Sequence, residues 1–254
     1  MIIKLLVTDL DGTLLRSDNT ISDYTINIFE QLKRDGHLIC FASARGYSMT
    51  RYINLIKPQV TIENGGSKIN YKGEIIYRNM LSEDDVNTII KTSREFTNGK
   101  VNICIENDEA YFCNYIPNDA ERRSISRYSD LKSFKGPAYD VSVELEHGEW
   151  ASEIQKSCNN CKVQSFSGMV WRQFFANGTS KVNALKKIMS HIGIDLDDVI
   201  VFGDDVNDLG MLKIAGTAIA VSNAIDEVKA VANHITESNN EDGVAKFLEK
   251  MLLN

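Results

Sequence analysis

No apolar run in this 254-residue chain approaches the roughly 18 residues a membrane-spanning helix needs, which argues against an integral membrane protein. The opening Met1-Ile2-Ile3-Lys4 also lacks the long apolar core and small-residue cleavage site of a signal peptide. There is no dense Lys/Arg block, and the formal net charge is −7. Neither nucleic acid nor an anionic membrane is therefore expected as the main partner. No low-complexity linker and no repeat at solenoid spacing breaks the chain. Cysteine is sparse and odd in number: Cys40, Cys104, Cys113, Cys158 and Cys161. Reduced thiols in a cytoplasmic protein are the simplest account. Cys158-Asn159-Asn160-Cys161 matches C-x-x-C, but no second pair or His partner lies near it, so a helix end and a strand start are favoured over zinc or redox chemistry.

What is present is an ordinary globular composition, 43% hydrophobic and 25% charged, in a chain long enough for one large α/β domain with a smaller insert. Its organising stretch lies near the N-terminus. The apolar run Ile2 to Val7 reads as a buried strand, and Asp9 and Asp11 follow it with Gly12 immediately after. On an extended backbone the i, i+2 spacing puts both carboxylates on one face. At the C-terminal end of a parallel strand that face looks into the crevice where open α/β sheets bind ligands. Two close carboxylates repel unless a cation or a shared proton compensates. The pair therefore reads as a nucleophile beside a proton-exchanging partner, with a hard ion such as Mg²⁺ suited to an all-oxygen site. Two solvated Asp residues before a glycine turn remain the alternative on these residues alone.

Further along, Ser22 caps a helix to Arg34, with Ile26, Phe29 and Leu32 on one face. His37 to Ala42 is the next strand, and it ends in Ser43-Ala44-Arg45-Gly46 before a helical stretch from Tyr47 to Ile56. Ser43 is read either as a plain helix N-cap or as an anion-binding hydroxyl. Gln59 to Glu63 is a short strand into Asn64-Gly65-Gly66, and a hairpin turns at Lys72-Gly73. From Ser82 the pattern changes to α-β-β … β-α-β-β with mostly antiparallel neighbours, including Val101 to Glu106, Ala110 to Tyr115, Tyr139 to Glu146, Lys162 to Phe166 and Val170 to Phe175. Asn118 to Tyr128 reads as a short helix or loop, and Arg122, Arg123 and Arg127 within it as a solvated face. This middle third reads as an inserted α+β domain with joints near 80 and 178.

The β-α alternation then resumes. Ser180 to Ile192 is an amphipathic helix with Lys181 in its first turn, where a cation opposes the helix dipole. A bound anion would explain that placement; a solvated surface Lys is the bland alternative. Asp197 to Phe202 is a buried strand ending in Gly203-Asp204-Asp205-Val206-Asn207-Asp208, with a helix on to Ala215. Strand Thr217 to Val221, helix Ile225 to Ala232, the pair Ile235-Thr236 and a helix from Glu241 to Leu252 complete the chain. His37, His191 and His234 have no ligand-spaced partners and read as structural.

Together these residues resemble the haloacid dehalogenase (HAD) superfamily of phosphohydrolases through all four of its motifs in order. Asp9-Leu10-Asp11-Gly12-Thr13 looks like the first, Ser43 the second, Lys181 the third, and Gly203-Asp204-Asp205-Val206-Asn207-Asp208 the fourth. The tail, with Ala220-Val221-Ser222-Asn223-Ala224 and Glu241-Asp242-Gly243-Val244-Ala245, is similar to the Cof-type branch with a C2 (type IIB) cap. The second motif has Ser43-Ala44 where Thr-Gly is common, and Ser supplies the same hydroxyl. Asp205 is an extra acid.

The resemblance implies an α/β fold: a Rossmann-like parallel-sheet core from residues 1–80 and 179–254, and an inserted α+β C2-type cap, residues 81–178, that selects the leaving group. It implies Asp9 as nucleophile and Asp11 as acid/base. Mg²⁺ would be held by Asp9, the Asp11 carbonyl and Asp204, with Asp208 behind them orienting metal waters. Ser43, Lys181 and Asn207 would bind phosphoryl oxygens. The expected activity is hydrolysis of small phosphate monoesters such as sugar phosphates in the cytoplasm. A phosphomutase of the same superfamily and a non-catalytic sensor of phosphorylated metabolites are the alternatives.

Overall fold

The computed structural model describes residues 4–118, 120–165 and 170–253. Ile2 and Ile3 of the first expected strand, Asp119 and Phe166 lie outside the described residues. The elements run β1 (Leu5–Thr8), α1 (Asp23–Arg34), β2 (Leu38–Ala42), α2 (Thr50–Ile56), β3 (Val60–Glu63), β4 (Lys68–Tyr71), β5 (Glu74–Arg78), α3 (Glu83–Phe96), β6 (Ile103–Glu106), β7 (Tyr111–Cys113), α4 (Ala120–Ile125), β8 (Ser126–Tyr128) and β9 (Asp140–Glu144). They continue with α5 (Gly148–Ser157), β10 (Cys161–Ser165), β11 (Trp171–Ala176), α6 (Lys181–Ile192), β12 (Val199–Gly203), α7 (Leu209–Leu212), β13 (Thr217–Val221), α8 (Asp226–Val231), β14 (His234–Thr236) and α9 (Gly243–Leu248). None of the described helices is long and apolar enough to cross a membrane.

The chain forms two compact units. The first comprises Met1–Ala44, Thr50–Tyr77 and Ser180–Asn254. Among its described residues, its sheet runs β14-β13-β12-β1-β2-β3-β4-β5. The pairs from β14 through β3 are parallel, and β3 meets β4 antiparallel. Leu5–Thr8 and Val199–Gly203 are buried along their whole length, as strands covered on both faces must be. β12-β1-β2 run parallel at the middle of the sheet, so their C-terminal ends lie at one edge. Helix α1 starts at Ser22, whose side chain accepts the Thr25 N–H, and buries Ile28, Phe29 and Leu32; Ile28 takes the place expected for Ile26, which is only half-buried.

His37 is buried at the start of β2, where its Nδ1 accepts the Lys4 N–H at 3.1 Å. Burial holds its imidazole below the usual 6.5. The unfolded chain therefore takes up its proton first, and stability falls as pH drops below 6.5. Urea unfolding across that range is expected to show a smaller acid loss in His37→Gln than in wild type.

The second unit comprises Arg45–Met49 and Arg78–Thr179. Its sheet runs β10-β11-β9-β6-β7-β8, antiparallel except for β7 against β8. Val86, Ile89 and Ile90 of α3 and Ala151 and Ile154 of α5 pack with Ile103, Ile105, Val141, Val143 and Phe174 into one core. The alternation of β9 is seen in the buried Val141 and Val143. Tyr47 N–H donates to Glu106 Oε1 at 3.0 Å, and its hydroxyl donates to the Asp108 carbonyl at 2.9 Å. Cys158 follows α5 and Cys161 opens β10, as expected, and all five cysteines are free thiols. Arg122, Arg123 and Arg127 are exposed.

Several elements differ from the sequence reading. β8 was not foreseen, because three residues carry too short a pattern to reveal pairing. Asp197 and Asp198 form a 3₁₀ turn ahead of β12 rather than its start. The helix expected after Asp208 is a 3₁₀ turn, Val206–Asp208, followed by the short α7. Asp242 adopts a left-handed φ of 59°, so the last helix opens at Gly243, and a π turn, Glu249–Leu253, follows it.

Candidate active site

The apolar strands stop where the sheet edge begins. β1 ends at Thr8, so Asp9 is the first residue beyond it, and its N–H donates to the Phe202 carbonyl at 3.2 Å. The chain then turns rather than extending. The Leu10 carbonyl accepts from Thr13, Leu14 and Leu15, and Gly12 takes φ +75°. The i, i+2 spacing thus runs from the strand end into a turn: Asp9 is buried, and Asp11 is exposed.

Asp9, Asp204 and Asp208 are brought together, each offering a carboxylate oxygen within 4.8 Å of the others. Lys181 bridges two of them: its Nζ donates to Asp9 Oδ1 at 2.6 Å and to Asp208 Oδ1 at 2.8 Å. It sits in the first turn of α6 behind its N-cap Ser180, yet it is only 3% exposed, which removes the surface-lysine alternative. Asp208 Oδ2 accepts the N–H groups of Asp204 and Asp205 at 3.1 and 3.3 Å. Asp208 is thus committed through Oδ1 to Lys181 and through Oδ2 to the loop. Asp205 finds its role here: its Oδ1 accepts the Val206 N–H at 2.7 Å and caps the 3₁₀ turn carrying Asn207 and Asp208.

Thr13 closes the Asp9–Thr13 motif. Its hydroxyl donates to Asp204 Oδ1 at 2.5 Å. Only glycine fits beside it at position 12, where an added Cβ would lie 2.3 Å from Asp204 Oδ2. Ser43 follows β2 and is buried; its N–H donates to the Ile62 carbonyl at 2.9 Å, and its carbonyl accepts the Gly65 N–H at 3.0 Å. It stands four residues ahead of the first helical turn, Tyr47–Met49, so it is not that turn's N-cap. Asn207 is half-buried, and its Oδ1 is buried with no hydrogen-bond donor against it among the described residues.

The electrostatics follow from this crowding. Burial, reinforced by Asp208, Asp204 and Asp11, pushes the Asp9 carboxyl well above its ordinary range despite the opposing Lys181. Burial and the nearby Asp208 raise Asp204 to about 7, while the Thr13 hydrogen bond pulls it back. Burial lowers the Lys181 ammonium, but Asp208 and Asp9 outweigh it and hold the group above its usual value. The cluster is thus short of positive charge. Its donor set of carboxylate oxygens suits a hard divalent cation.

The turn Asn64–Gly66 supports the start of α6. Gly66 has φ +106°, and a Cβ there would lie 2.4 Å from the Ser180 carbonyl oxygen. Gly66→Ala is expected to cost about 2–4 kcal/mol of stability, by strain and backbone overlap together. Gly36, at φ +87° with nothing within 4 Å, isolates the strain alone. Gly36→Ala is expected to cost about 1 kcal/mol in the same urea titration.

A profile of the haloacid dehalogenase-like hydrolases matches residues 6–248. The 5-amino-6-(5-phospho-D-ribitylamino)uracil phosphatase YitU of Bacillus subtilis (strain 168) is 31% identical over 263 residues, spanning 97% of this chain and 96% of its own. The enzyme of the same name from Escherichia coli (strain K12), YbjI, is 26% identical over 269 residues, with 99% and 97% covered. A haloacid dehalogenase-like hydrolase from Bacteroides thetaiotaomicron superposes with a TM-score of 0.87 at 25% identity, covering 99% of this chain and 100% of that one. The HAD subclass IIB sugar phosphatase BT4131 shares the fold, with a TM-score of 0.80 at 22% identity and 97% and 98% covered. The fold is thus the α/β HAD core with an inserted α+β cap. The chain belongs to the haloacid dehalogenase-like hydrolases, in their Cof-type branch, and is an enzyme of the phosphatase class.

Proposed function

We propose that this protein is a Mg²⁺-dependent cytoplasmic phosphatase that hydrolyses small phosphorylated metabolites, sugar phosphates or similar monoesters, through an aspartyl-phosphate. The observation that carries the reading is the convergence of Asp9, Asp204 and Asp208 on the buried Lys181 where β1 and β12 end. Asp9, in its buried pocket, attacks phosphorus in line; a bond forms from its carboxylate oxygen, and the ester P–O bond breaks. Asp11, exposed on the turn, gives its proton to the departing oxygen. It then takes a proton from the water that cleaves the aspartyl-phosphate. Ser43, Lys181 and Asn207 bind the phosphoryl oxygens.

Asp9, the Asp11 carbonyl and Asp204 would hold the magnesium. Asp9 Oδ2 and Asp204 Oδ2 have no protein donor among the described residues, whereas Asp208 is committed to Lys181 and the loop. When bound, magnesium would screen the crowded carboxylates and draw charge from the phosphoryl oxygens. The α+β unit is read as the selector of the leaving group.

The test is phosphate release from a panel of phosphorylated metabolites with Mg²⁺ and with chelator. The panel includes sugar phosphates and the substrate in the name of the Bacillus subtilis relative, 5-amino-6-(5-phospho-D-ribitylamino)uracil. Release that needs the metal supports the reading. Isomerised substrate without free phosphate would make the protein a mutase; tight binding without turnover would make it a sensor.

A further inference from the structure

The five thiols have no role in phosphoryl transfer, yet two of them lie side by side. Cys104 in β6 and Cys113 in β7 stand opposite each other in an antiparallel pair. The flanking backbone bonds fix the kind of pair. Asn114 N–H donates to the Ile103 carbonyl at 3.2 Å, and Asn107 N–H donates to the Ala110 carbonyl at 3.2 Å. Hydrogen-bonded pairs recur at every second residue of such a ladder, so Cys104 and Cys113 occupy a non-hydrogen-bonded position between them. There the two Cα atoms are about 4.5 Å apart and the side chains approach most closely, within the span that a disulfide bridges. The sulfurs meet accordingly. Cys104 Sγ lies 2.8 Å from Cys113 Sγ, and both side chains are fully buried.

The surroundings favour one sulfur as the first to react. The Tyr115 hydroxyl lies 3.5 Å from Cys104 Sγ, and Ser126 Oγ lies 3.7 Å from Cys113 Sγ. Burial opposes ionisation of Cys104, but hydrogen bonds from Cys113, Tyr111 and Tyr115 outweigh it and hold the thiol below its usual value. The hydrogen bond to Cys104, reinforced by burial, pushes the Cys113 thiol far up. Cys104 is therefore the attacking sulfur and Cys113 the neighbour that closes the bridge. Among the described residues only β8, three residues long, lies between β7 and the edge of the sheet. Local opening of so short an edge admits a small neutral oxidant.

We propose that Cys104 and Cys113 are a modification site, a cross-strand thiol pair that a peroxide closes to a reversible disulfide. The Cys104 thiolate attacks a peroxide oxygen, the O–O bond breaks, and Cys104 becomes a sulfenic acid as water leaves. The Cys113 sulfur then attacks the Cys104 sulfur. The S–S bond forms, the S–O bond breaks, and the hydroxide leaves with the Cys113 proton as a second water. The two thiols together lose two electrons, which hydrogen peroxide gains. The test treats the intact protein with hydrogen peroxide, alkylates the remaining thiols with iodoacetamide in urea, and digests with trypsin. Residues 101–122 form one tryptic peptide that holds both cysteines. This peptide is expected to lose two hydrogens, to escape alkylation and to regain both thiols with dithiothreitol. In Cys113→Ser the bridge cannot close, and dimedone is expected to trap the sulfenic acid on Cys104. In a dithiothreitol redox titration the bridge of the folded protein is expected to be at least about tenfold harder to reduce than that of the urea-unfolded chain, because the fold already holds the sulfurs together. Four results would overturn the proposal: a peptide alkylated on both cysteines after peroxide, a bridge to a different cysteine, no dimedone on Cys104 in Cys113→Ser, or a bridge no harder to reduce in the folded protein.

Discussion

Asp9→Asn is expected to abolish phosphate release, by on the order of 10⁴-fold or more, while leaving the metal-free protein as stable as wild type or more so. The two halves of that result have one cause. Asp9 is 5% exposed, shares Lys181 with Asp208, and lies near Asp204 and Asp11. One buried lysine does not compensate that many carboxylates, which is why burial and repulsion drive the Asp9 carboxyl upward. An amide keeps an oxygen for the Lys181 ammonium and removes the excess charge, but it is no nucleophile. Such a trade is expected where a site stores unfavourable charge for chemistry. Phosphate release and thermal unfolding of the same preparation check it together. A variant that kept its turnover would remove Asp9 from the chemistry.

Lys181→Met is expected to be the most destabilising change at the site. It strips the partner from two buried carboxylates at once, Asp9 at 2.6 Å and Asp208 at 2.8 Å. Removing one partner of a buried ion pair typically costs about 3–5 kcal/mol. The loss is expected to be larger above neutral pH than below it, because carboxylates deprived of the lysine recover by taking up protons. Adding Asp208→Asn should restore part of the stability, since it removes one of the stranded charges, and none of the activity. A double-mutant cycle in urea measures that coupling directly. Additive losses would mean that the bridge contributes nothing beyond its separate ends.

These changes also show where the sequence was informative. Asp9 and Asp204 were legible because each directly follows an apolar strand, and such strand ends gather at one edge of a parallel sheet; Lys181 stood out as a cation in the first turn of a helix. The burial of Lys181 was not legible, because a lysine in a helix's first turn reads as solvated until its acidic partners from β1 and β12 arrive in space. The turn at Asp11, closed on the Leu10 carbonyl, was not legible for a related reason. Strand spacing carries no sign of where the chain turns back, and here it does so at the left-handed Gly12. Thr13 works through a contact 191 positions away in sequence, on Asp204, which no local pattern carries. Asp205 could have been recognised, since an acid ahead of a helical turn is an ordinary cap.

The account turns on a covalent bond to Asp9. The most direct measurement is to quench the magnesium-loaded enzyme with acid during turnover of a phosphorylated metabolite that it hydrolyses, and to map the added mass by peptide mass spectrometry. The account predicts one phosphoryl group on the peptide containing Leu5 to Arg16, located on Asp9 and absent from Asp9→Asn. Steady turnover with phosphate on another residue, or full phosphate release from Asp9→Asn, would contradict it.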